Sequence, residues 1–107
     1  MRWALLALLI VAVPVAAHDA PMGWRYDSDC CSDTDCFPVE DEHIQEVEGG
    51  FRVTLPPGSH PMVKKRPVDV IVPHGDPRIR KSGDWRKHAC VSASGYVFCI
   101  YAPPGAT

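Results

Sequence analysis

Toward the C-terminus the chain carries two apolar-rich runs, residues 88–93 and 96–101, that meet at Ser94-Gly95. Two such runs joined at a turn-forming dipeptide predict a β-hairpin. With a two-residue turn, Ala93 faces Tyr96, Ser92 faces Val97, Val91 faces Phe98 and Cys90 faces Cys99. That last pair falls at a non-hydrogen-bonded position, where opposing Cα atoms come closest, so the pattern predicts a disulfide between Cys90 and Cys99. Residues 43–47 and 51–55 flank Glu48-Gly49-Gly50 and predict a second hairpin. A three-residue loop with glycine in the left-handed position pairs Val47 with Phe51 and Glu46 with Arg52. Residues 68–72, Val-Asp-Val-Ile-Val, read as a third short strand that Pro73 closes.

Between these elements the chain is polar and rich in turn formers. Eleven prolines argue against long helices, since each removes a backbone donor and clashes inside a helix. The expected fold is mainly β: one small domain of short antiparallel hairpins with long loops, stapled by disulfides. Residues 18–26 read as an extended arm that lays Trp24 and Tyr26 on the core. Residues 59–67 form a basic connection through Lys64-Lys65-Arg66. Residues 74–88 are expected to be a turn-rich loop of a length that is often functional.

The N-terminus changes the setting in which this domain is read. Arg2 precedes an unbroken apolar run over residues 4–13, followed by Pro14-Val15-Ala16-Ala17, which predicts a signal peptide over residues 1–17. Cleavage after Ala17 makes His18 the first residue of a domain over residues 18–107. The run is shorter than the roughly 20 residues that span a bilayer, so the mature chain is expected to be periplasmic or secreted, without a membrane anchor. In that compartment cysteines form bridges, and a domain this small benefits from them. There are five, so at most two intramolecular bridges form. The second is expected to join Cys36 to Cys30 or Cys31, because vicinal cysteines rarely pair with each other. The remaining thiol is expected to be buried; a disulfide-linked dimer is its alternative fate.

Charge is unevenly spread. Residues 18–48 hold ten acids against the single base Arg25, and residues 49–107 hold nine bases against three acids. The plain reading is that the halves neutralise each other, with Arg78, Arg80 and Arg86 meeting the acidic side. The competing reading is a basic surface for an anionic ligand; nucleic acid is not expected for an exported chain. Four aspartates, Asp27, Asp29, Asp33 and Asp35, surround Cys30, Cys31 and Cys36. Zinc would need a cleaner second pair of ligands, and calcium would need the glycine and glutamate of an EF-hand loop, so a disulfide-tethered loop with capped turns is favoured over a calcium site. His43, His60, His74 and His88 would form a hydrolytic site only if folding gathered them with an aspartate. A free His18 offers its amine and imidazole to copper, with His74 or His88 as the further ligand.

The combined pattern resembles a family of small exported bacterial cysteine-containing proteins without assigned function. The residues that carry the resemblance are His18-Asp19-Ala20-Pro21 with Gly23-Trp24, Cys30-Cys31-Ser32 with Asp35-Cys36, His88 two residues before Cys90, and Cys99 ahead of Pro103-Pro104. It implies export and a common cysteine framework, and it lends no catalytic residue. The function expected is that of an exported, disulfide-stabilised binding or structural module, with a metal-binding protein or a small hydrolase as the alternatives.

Overall fold

The C-terminal hairpin lies at the centre of a four-stranded sheet, in a computed structural model that describes residues 19–21, 23–32 and 34–104. The predicted signal peptide and His18 lie outside the described residues. The hairpin's strands are β6 (Lys87–Val91) and β7 (Val97–Ala102). β1 (Cys36–Val39) lines the outer edge of β6 in antiparallel register, and β5 (Ile79–Lys81) runs parallel to β7. The hairpin reads as continuous apolar runs because both of its faces are covered. Ala89, Val91, Val97, Ile100 and Ala102 belong to the core shared with the second sheet. Cys90, Cys99 and Tyr101 belong to a separate cluster with Tyr26 of the N-terminal arm. Among the described residues no helix is long and apolar enough to cross a membrane.

Cys90 does face Cys99, but the path to the turn differs from the expected one. Val91 pairs with Val97, leaving Phe98 as an extra residue in β7, and the loop is closed by Gly95 N–H to Ser92 O (3.0 Å) and Ser92 N–H to Tyr96 O (2.8 Å). These bonds leave Ala93, Ser94 and Gly95 as a three-residue loop, with Gly95 in the left-handed position at φ +94°; the bulge at Phe98 then restores the register at the cysteines.

The second hairpin corrects the prediction in the opposite sense. β2 (Ile44–Val47) and β3 (Gly50–Leu55) pair Val47 with Gly50 and Glu46 with Phe51, so the turn is the two-residue Glu48-Gly49, with Gly49 at φ +93°. The register moves by one residue, and in a strand that exchanges faces. The observed pairing sets Ile44 opposite Val53, both fully buried, where the expected one would have set Ile44 opposite Thr54. β4 (Val68–Pro73) completes the sheet in the order β2-β3-β4. It passes so close to β3 that a Cβ on Gly50 would run into the backbone of Val72.

The disulfides also depart from expectation. Cys36 is joined to Cys90 and Cys30 to Cys99, so no bridge closes the hairpin on itself, and Cys36 is joined to neither Cys30 nor Cys31. Cys36, Cys90 and Cys99 stand opposite one another across β1, β6 and β7, and β1 brings Cys36 to Cys90 from the side away from β7. Cys99 is met from above the sheet. The turn carrying Cys30 is held beside β7 by Asp27, whose N–H is accepted by the Tyr101 hydroxyl (2.9 Å) and whose Oδ2 accepts from it (2.8 Å). Arg80 of β5 pairs with both Asp27 and Asp29 of that turn. Cys31 takes part in neither bridge, and it is buried.

Candidate functional site

Residues 82–86, Ser-Gly-Asp-Trp-Arg, lead into β6 and are organised by Asp84. Its Oδ1 accepts from the Ser82 hydroxyl (3.0 Å), the Arg86 N–H (2.8 Å) and His88 Nε2 (3.0 Å); its Oδ2 accepts from Trp24 Nε1 (2.9 Å). Gly83 lies so close to the Trp24 ring that a Cβ would enter it, which lets the loop lie against the indole. His88 has no solvent exposure, and its Nδ1 is 2.8 Å from the Tyr26 hydroxyl. With Nε2–H donating to the carboxylate, the ring is neutral and Nδ1 accepts from Tyr26. Burial is the main cause of a His88 pKa below the usual histidine range, the Asp84 carboxylate opposing it. Burial alone would raise Asp84, but the hydrogen bonds from His88, Trp24, Arg86 and Ser82 outweigh it and hold the carboxyl well below its usual range. Burial raises the Tyr26 hydroxyl. This Asp-His-Tyr arrangement is closed to solvent, so its role is to pin the arm and the loop to β6.

The loop so fixed displays Trp85, which is 70% exposed. Beside it opens a cleft of about 630 Å³ lined by Asp41, Glu42, Gln45, Glu46, Trp85, Lys87 and Pro103. A second hollow shares Asp41, Glu42 and Trp85 and adds Val39, Glu40 and Arg86. The acids come from the 3-10 turn Asp41–His43 and from β2, which this turn leads into. Lys87 is the basic side chain of the larger cleft, and its ammonium is already taken up by the carbonyls of Ile44 (2.7 Å) and Asp41 (3.5 Å). Asp41, Glu42 and Glu46 outnumber the one ammonium in this lining, so the cleft is net negative and offers carboxylates and an aromatic face to a positively charged guest, since a cation is attracted both by negative charge and by an indole face.

The histidines weighed as ligands or catalysts are dispersed. His74 lies beside Glu46 (3.3 Å) and packs on Phe51 in the second sheet. His88 is enclosed as described, with both ring nitrogens engaged, and His18 lies outside the described residues. His60 is buried, Nε2 meeting Ala89 O (2.9 Å) while Nδ1 accepts from Met62 N–H (3.1 Å). His43 sits in the 3-10 turn. Among the described residues, the grouping of three or more potential metal-ligating side chains is Asp27, Asp29 and Cys30, with no histidine. Its cysteine is bridged and its carboxylates are held by Arg80, so a calcium ion would have to displace that arginine. Asp35 turns inward to accept from Ser32 N–H (3.0 Å), and Asp33 lies outside the described residues. Of the arginines expected to meet the acidic half, Arg80 does so, whereas Arg78 pairs with the nearby Asp76 (2.9 Å).

Trp85 and its acidic neighbours are absent from the site read in the sequence. The available signal is a tryptophan set among charged residues, Asp84-Trp85-Arg86-Lys87, inside a loop of unusual length. Nothing in the chain's order links that loop to residues 41–46. No protein-family model, curated protein or solved structure matches this chain.

Proposed function

We propose that the protein is an exported, disulfide-stapled binding module that holds a positively charged ligand in the cleft beside Trp85. The observation that carries this reading is a tryptophan kept 70% exposed on a loop whose neighbour Asp84 has its carboxylate enclosed and fully engaged. A large apolar side chain so presented costs solubility and makes no use of its burial energy, which a ligand would recover. The lining acids set the sign of the guest's charge. Export is supported by the signal-like N-terminus together with two disulfides, which persist in oxidising compartments. Nuclear magnetic resonance of the folded protein tests the site with tetramethylammonium and N-acetyl-lysine amide as probes. Both should give saturable shifts at the Trp85 indole N–H and at residues 41–46, weakening with added salt, while N-acetyl-glutamate amide should give none. Equal responses to the cationic and anionic probes would refute the assignment.

A further inference from the structure

We infer that the ligand is a basic polypeptide segment, bound in extended form along the outer edge of β2; this rests on the cationic cleft proposed above. β2 is the terminal strand of its sheet, with β3 on one side only. The two-residue turn at Glu48-Gly49 makes Val47 and Gly50 the hydrogen-bonded pair that closes the hairpin, and bonded and non-bonded pairs alternate along an antiparallel ladder. Gln45 then bonds Arg52, and the backbone groups of Ile44 and Glu46 point away from β3. Contacts at Ile44 agree with this: its N–H goes to Asp41 O, and its carbonyl accepts from Lys87 Nζ (2.7 Å), both outside the sheet.

Lys87 therefore caps the edge at Ile44, in the manner by which exposed sheet edges are protected from unwanted pairing. Two residues further along, the Glu46 N–H and C=O face outward at the rim of the cleft that the Glu46 side chain helps to line. A guest strand about 4.8 Å from β2 can exchange one pair of main-chain hydrogen bonds there. Every second side chain of that guest would turn toward the cleft wall, where Asp41 and Glu42 supply negative charge and Trp85 an aromatic face. A lysine or arginine at those positions combines charge complementarity with packing of its aliphatic stem on the indole. An acidic guest would meet like charge at the same positions.

The test uses acetylated, amidated hexapeptides of alternating lysine and valine with the intact domain. Binding is followed by resonance shifts, and hydrogen exchange is followed at the Glu46 amide. The parent peptide should bind at least tenfold more tightly than N-acetyl-lysine amide and slow Glu46 exchange at least tenfold. Its glutamate-valine counterpart should not bind. Two analogues, N-methylated at every second amide in the two possible frames, should differ: one retains binding and the other loses at least tenfold. Trp85→Ala, at an exposed position that leaves the fold intact, should weaken the parent peptide by a similar factor. If both methylated frames bind as the parent does, or if Glu46 exchange is unchanged, strand addition is overturned while the cationic cleft stands. If neither the peptide nor N-acetyl-lysine amide binds, both readings fall.

Discussion

Asp84 illustrates how much one buried carboxylate can decide. It is the acceptor for a histidine, an indole, a hydroxyl and a backbone amide, so Asp84→Asn replaces an acceptor atom by a donor facing donors. Removing one partner from such a network leaves buried polar groups unpaired, and we expect a loss of about 3 kcal/mol in denaturant unfolding, with weaker burial of Trp24 in fluorescence. The pH dependence follows from the same residues. Burial depresses both His88 and His60 below the ordinary histidine value of 6.5. Above that value both are neutral in folded and unfolded chains, and their environments are fully compatible with folding. Below it the unfolded chain takes up protons that the folded chain refuses, so stability falls as pH drops from 6.5 toward the folded values. The depressed Asp84 adds a second loss, beginning below its unfolded value of 3.8. Thermal melts should be flat above neutrality and decline on acidification, less steeply in His60→Gln; a melting temperature rising between pH 7 and 5 would contradict this.

At the scale of elements, the two disulfides tie different parts of the fold together. Cys36 and Cys90 are 54 residues apart but lie inside the Cys30–Cys99 bridge, so with that bridge closed their own closes a circuit of only about 15 residues, worth about 3 kcal/mol of denatured-chain entropy. The Cys36→Ser/Cys90→Ser pair should lower stability by about that amount. A non-reducing peptide map should recover Cys30 with Cys99 and Cys36 with Cys90; a fragment holding Cys90 joined to Cys99 would contradict the structure. In the hairpins, Gly49 holds φ +93° in a tight turn, and Gly49→Ala should cost about 1 kcal/mol by equilibrium unfolding. The strands at residues 44–47, 50–55, 68–73 and in the C-terminal hairpin are legible from apolar runs bounded by turn formers. β1 and β5 are not. Cys-Phe-Pro-Val has a proline that is acceptable only at an edge, and Ile-Arg-Lys is too short and too charged to show a period.

For the whole molecule, the cysteine outside the two bridges reports on integrity. Cys31 is 1% exposed, and its Sγ is 3.4 Å from Asp35 Oδ1. A thiol reacts only where a reagent can reach it, and burial denies that access in the folded chain. A disulfide-exchanging reagent should titrate no thiol in the native protein and one after unfolding without reductant; rapid native labelling would mean that the arm opens. The cleft is likewise a property of the whole: its lining comes from the 3-10 turn, β2, the 82–86 loop, β6 and the residue after β7.

Read alone, the sequence determined the mainly β class, the apolar segments that become the hairpin strands, the facing of Cys90 and Cys99, and the odd number of cysteines that leaves one unbridged. Those features depend on neighbours in the chain or on parity, and short-range sterics and periodicity are enough to decide them. Tertiary structure alone decided which sulfurs join, that Cys31 is the one left out of the bridges, the one-residue register of the second hairpin, and the gathering of Trp85 with acids some forty residues earlier. Each of these depends on which surfaces meet once both faces of the central hairpin are covered. Cys90 has a cysteine opposite it on each side, so spacing could not choose between them; the arrival of β1 on one side and of the Asp27 turn above the other chose the pairing.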